Sequence, residues 1–103
     1  MKTSILQSML ARNKELITDL HVQCFEIKTI VKDYNSEIAS LSGDVHAERY
    51  VWNLTYSKEQ ELEQLARNQK SLKQLSAIQK AIKEEIRYND NQEAYLLMLA
   101  ERD

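Results

Sequence analysis

The groups from which this chain could build a metal or catalytic site are few: two histidines, His21 and His46, a single cysteine, Cys24, and its carboxylates. A metal centre on helices needs ligands stacked on one face, such as a Glu and a His three residues apart. Neither histidine has a carboxylate at that spacing. His46 and Glu48 are two residues apart, which on a helix points them in different directions. Both histidines read as surface or edge residues. A nucleophilic thiolate needs a base and an electropositive setting, and the sequence supplies neither around Cys24. No Gly-rich phosphate loop and no Ser-His-Asp arrangement is present. The expectation is a protein without catalysis, metal or cofactor.

Cys24 has two structural readings. It occupies a core-type position, where a free cysteine behaves as a small hydrophobe. Alternatively, two parallel copies in register would bring their Cys24 residues together. Asn53-Leu54-Thr55 matches a glycosylation acceptor, but no secretion signal accompanies it, so it reads as chance.

A third kind of chemistry is electrostatic. Residues 64–83, QLARNQKSLKQLSAIQKAIK, hold five basic residues and no acidic ones, and Lys73, Lys80 and Arg87 recur every seven. These three form one outer stripe that, with Lys70 and Lys83 as further candidates, could follow a phosphate backbone. The competing reading is a solvated helix face balancing the acidic start of the same helix. Overall charge favours the second: the net value is −2, with six basic and seven acidic residues in 1–56 and eight and nine in 57–103.

The elements that carry these residues are helices. The chain has no proline and one glycine, whereas a strand-rich fold of 103 residues needs a turn every 8–12 residues. An all-α fold follows, as a long helical hairpin or coiled-coil-like bundle forming one domain. Leu10, Ile17, Cys24, Val31, Ile38 and Val45 take heptad position a, and Leu6, Asn13, Leu20, Ile27, Tyr34 and Leu41 take position d. Only Asn13 is polar. Alternating steps of three and four keep one narrow seam turned to a neighbouring helix. A long helix over about 3–41 is expected, with Asn13 acting as a register device or marking a frayed first turn. Met9, Leu16 and Ile30 at position g widen the seam, which suits more than one neighbour.

An irregular reversal is expected over about 42–57. Ser42-Gly43-Asp44 contains the only glycine, with Asp44 as the next N-cap. Ser57 followed by Gln60 fits a capping box and predicts a second long helix over about 57–88, with Leu65, Leu72, Leu75, Ile82 and Ile86 on its seam beside Gln79 and Asn89. Asp90 and Glu93 repeat the pattern, predicting a short last helix over about 91–102 that carries AYLLMLA. Tyr50, Trp52 and Tyr56 fall in the reversal and read as corner packing, with an interface cluster as the alternative.

The first stripe offers more apolar surface than the polar second arm can cover, and exposed contiguous apolar surface signals an interface. A non-catalytic interaction protein is expected: an adaptor, small chaperone or inhibitor pairing its long helix with a helical client or a second copy. The contact residues would be Leu10, Ile17, Leu20, Ile27, Ile30, Val31, Tyr34, Ile38, Leu41 and Trp52. In size and organisation the chain is similar to the small helical chaperones of bacterial secretion systems, a likeness of architecture that carries no residue over. The alternatives are a purely structural self-assembling coiled coil, and a nucleic-acid-associated protein using Lys70, Lys73, Lys80, Lys83 and Arg87. With no secretion signal and no stretch that could span a bilayer, a soluble cytoplasmic protein without membrane contact is expected.

Overall fold

The computed structural model describes residues 2–102. It is an all-α hairpin of two long helices, α1 over Thr3–Ser40 and α2 over Glu48–Arg102, joined by a tight turn and a single 3-10 turn at Val45–Ala47. The chain divides into two compact units: a turn unit, Asp19–Leu72, and a terminal unit, Met1–Thr18 with Lys73–Asp103. Each pairs one stretch of α1 with one stretch of α2.

The reversal is built by Gly43 and Asp44. Gly43 has φ +86°, left-handed backbone that any side chain makes strained, and a Cβ there would meet nothing within 4 Å. Conformation, and not crowding, therefore requires the glycine. Asp44 is extended and its carboxylate accepts from the His46 backbone N–H at 3.0 Å, capping the 3-10 turn. The expected helix end and N-cap are both in place, and the reversal closes within residues 41–47.

Along α1 the residues withdrawn from solvent are Thr3, Leu6, Leu10, Asn13, Ile17, Leu20, Cys24, Ile27, Val31, Tyr34 and Ile38, an unbroken alternation of three and four. Leu41 continues it at the turn. Val45 does not: expected at position a, it lies in the 3-10 turn and is 73% exposed, because the helix has already ended. The α2 seam is equally regular and starts earlier than expected. It runs Ala47, Val51, Leu54, Lys58, Glu61, Leu65, Asn68, Leu72, Leu75, Gln79, Ile82, Ile86 and Asn89.

Two expected helix boundaries are absent as a result. Ser57 lies inside α2, and so does Asp90, so no separate C-terminal helix exists. A cap is worth only about 1 kcal/mol. Continuing the helix back through Leu54 and Val51 buries apolar side chains worth about 1.5–3 kcal/mol each when fully covered, and no Gly or Pro interrupts the stretch. Thr55 fits the helix by donating its hydroxyl to the Val51 carbonyl at 2.9 Å.

Corner packing by the aromatic trio is also overturned. Trp52 is 67% exposed and stacks on Tyr56 along the outer face of α2, ring centroids 6.0 Å apart. One α-helical turn separates them, so their rings meet each other and not the bend.

Candidate interaction surface

Polar residues set the alignment of the two helices in each unit. In the terminal unit the Asn13 amide donates to the Leu75 carbonyl at 3.2 Å. Asn13 is buried, which rules out the frayed-turn reading, and its Oδ1 meets no donor among the described residues. In the turn unit Asn68 is buried and bonded on both sides of its amide: it accepts from Gln64 at 2.8 Å and donates to Gln23 of α1 at 3.5 Å. Arg67 donates in turn to Gln64 at 2.9 Å. The Tyr50 hydroxyl donates to Glu37 at 2.5 Å, and that hydrogen bond, with the negative charge of Glu37, raises the Tyr50 pKa above 10.0. Glu37 and Tyr50 both hold position g, as do Gln23 and Gln64, so the g positions of the two helices share one side of the turn unit.

The seam residues named as partner contacts face the chain's own α2. Ile27 is buried, and Leu10, Ile17, Leu20, Val31, Tyr34, Ile38 and Leu41 are half-buried. Ile30 and Trp52 remain on the surface. Cys24 is buried in the seam of the turn unit at 6% exposure, so its position excludes the meeting with a twin across a dimer seam.

Large apolar side chains are exposed in both units: Val22, Phe25, Ile30, Trp52, Tyr56 and Leu62 in the turn unit, and a group at positions g and c in the terminal unit. Met9 and Leu16 of α1 and Ile78 and Leu99 of α2 occupy g, with Ile5, Tyr88 and Tyr95 at the adjoining position c. All seven are between 39% and 58% exposed. A hollow lined by Lys2, Thr3, Tyr88, Asn89, Gln92 and Glu93 places the first residues of α1 beside this part of α2. Beyond it, Ala94–Arg102 run on with every residue exposed, including Leu96, Leu97 and Met98. Sequence reasoning singled out the g flank on α1 and the apolar AYLLMLA segment with Tyr95 and Leu99, but not Ile78 or Tyr88.

The opposite side of the terminal unit is basic. Lys80, Lys83 and Arg87 border one open hollow of about 300 Å³ with Ser76, Gln79 and Glu84. Lys73 stands one heptad before Lys80, whereas Lys70 lies in the turn unit at the outermost position of α2. A second hollow of about 450 Å³, at the reversal, combines Ile38, Leu41, Val45 and Val51 with Asp44 and Glu48. Among the described residues no three His, Cys, Asp or Glu side chains gather as a metal-ligand group, and no helix is long and apolar enough to cross a membrane.

Comparison with protein-family models, characterised proteins and solved structures found no match.

Proposed function

We propose that the chain is a non-catalytic protein–protein interaction module that completes a helical bundle by docking partner helices on the g side of its terminal unit. The observation that carries this is the set of exposed Ile, Leu, Met and Tyr side chains at positions g and c of the terminal unit, Met9 and Leu16 on α1 and Ile78, Tyr88, Tyr95 and Leu99 on α2, with Glu85 and Gln92 interspersed at g. Apolar surface of this kind is stabilised by being covered. The adaptor, small-chaperone and inhibitor roles share this chemistry, since each lays an amphipathic helix against a partner's apolar face.

The test uses affinity purification with the parent and with a Leu16→Asp/Leu99→Asp variant whose helicity is unchanged. A helical protein retained by the parent and lost by the variant supports the reading, whether that protein is another copy or a different chain. Identical retention by both overturns it.

A second reading rests on the basic side. Lys80, Lys83 and Arg87 around one hollow are suited to a polyanion such as nucleic acid. Retention on DNA or RNA that falls steeply with salt, and vanishes on changing Lys73, Lys80 and Arg87 to Glu, would support it.

A further inference from the structure

We infer that the occupant of the apolar side is a second copy of this chain, docked antiparallel, with the end of each α2 lying along the start of the partner copy's α1. The inference rests on the interaction reading above and commits it to one partner and one orientation.

The first argument is reciprocity of length. With Asn13 level with Leu75, α1 begins level with about Glu85. The hollow that Lys2 and Thr3 share with Tyr88, Asn89, Gln92 and Glu93 keeps the start of α1 beside those residues, so the part of α2 that extends past it is Ala94–Arg102, every residue of it exposed. The exposed flank of α1, from Ile5 to Leu16, is of similar length. Each copy thus carries one uncovered helix end and one uncovered flank that match, as a closed two-fold interface requires. Sliding two copies past each other head to tail sets Leu99 of one copy level with Leu16 of the other. The same alignment sets Tyr88 level with Ile5, with no further adjustment.

The second argument is charge. In this alignment Lys2 of one copy faces Glu85 of the other, both at position g, and Arg12 faces the Tyr95 ring. Opposite charges and an Arg–aromatic contact favour the pairing. A parallel pairing would instead set Lys2 against Lys2 and Arg12 against Arg12. Like charges at the same level oppose that arrangement.

The third argument is area. Seven side chains at 39–58% exposure on each copy amount to on the order of 1,200 Å² over two copies, at the lower edge of a specific interface. The Leu96 and Ala100 face, which continues the α2 seam beyond the start of α1, adds to this when the partner covers it.

Sedimentation of the full chain measures the state directly, and a mass of twice 12.1 kDa is expected. Leu16→Asp or Leu99→Asp, each with unchanged helicity, should return the mass to that of one chain. Orientation is read in a Cys24→Ser background by mixing a Leu16→Cys chain with a Leu99→Cys chain under mild oxidation. The expected product is the mixed disulfide, with little same-site product from either chain alone. Same-site products without the mixed one overturn the antiparallel arrangement. A single-chain mass at all concentrations overturns the second copy as occupant. In that case, retention of a different helical protein by the parent but not by Leu16→Asp/Leu99→Asp leaves the interaction reading standing, and no difference in retention removes both.

Discussion

The turn unit and the terminal unit share one heptad seam and differ in what flanks it. The g positions of the turn unit include Gln23, Ile30, Glu37, Tyr50 and Gln64. Tyr50 bonds Glu37 and Asn68 bonds Gln23 across the two helices, Gln64 bonds Asn68 along α2, and Ile30 stays exposed. The g positions of the terminal unit include Met9, Leu16, Ile78 and Leu99, which are apolar and exposed. The buried asparagines repeat the contrast, since Asn68 is bonded on both sides of its amide and Asn13 on only one. The turn unit ties part of its flank with its own side chains, while Phe25, Ile30 and Trp52 stay exposed. The terminal unit presents a surface that other helices can finish.

The strongest way to break the comparison is to charge both seams. Ile27→Asp in the turn unit and Ile82→Asp in the terminal unit each bury an unpaired carboxylate. Each should lower unfolding free energy by at least about 3 kcal/mol, measured by chemical denaturation followed at 222 nm. If Ile82→Asp were silent, the terminal unit would not be packed as described.

Next in size is the turn. Gly43→Ala forces an L-residue into left-handed backbone and should destabilise by about 1–2 kcal/mol. A change of a few tenths in the same denaturation experiment would mean that another residue of the turn absorbs the strain.

The asparagines sharpen the contrast at a smaller scale. Replacing Asn13 with Leu removes a buried carbonyl that has no donor, and should raise stability by about 1 kcal/mol. Asn68→Leu removes bonds that are satisfied and should give no comparable gain. Equal gains at the two sites would show that the units do not differ in polar satisfaction.

The smallest effect belongs to Tyr50. Its phenol is exposed, so Tyr50→Phe should leave the melting temperature at neutral pH unchanged. Because the Tyr50 pKa is raised, its bond to Glu37 is present below the ordinary tyrosine value of 10.0 and lost as pH rises through the raised value. An alkaline absorbance titration should show a late-ionising tyrosine that Tyr50→Phe removes and Glu37→Ala shifts to lower pH.

How far the fold could be read in the sequence differs between the helices for a physical reason. The α1 positions from Leu6 to Leu41 are nearly all apolar, so their spacing is visible by inspection. The α2 seam has Lys58, Glu61 and Asn68 at positions that burial alone identifies. Long side chains such as Lys58 can cover a seam with their methylenes while the charge stays in water. Local capping signals at Ser57 and Asp90 then stood out against a polar background, although helix continuity outweighed both. The candidate surface suffered in the same way. Met9, Leu16 and Ile30 were visible as a flank, but their companions Ile78 and Tyr88 on α2 depend on a heptad that polar residues disguise.

The chain's one thiol gives the hairpin a built-in clock. Cys24 is closed off between the two helices, and no other sulfhydryl competes with it. Alkylation at that position requires the helices to part, so under conditions of rapid reclosing the rate of thiol labelling measures the fraction of time the turn unit is open, and when labelling outpaces reclosing it measures how often the unit opens. A thiol placed in the terminal unit would give the matching rate for the other half of the chain.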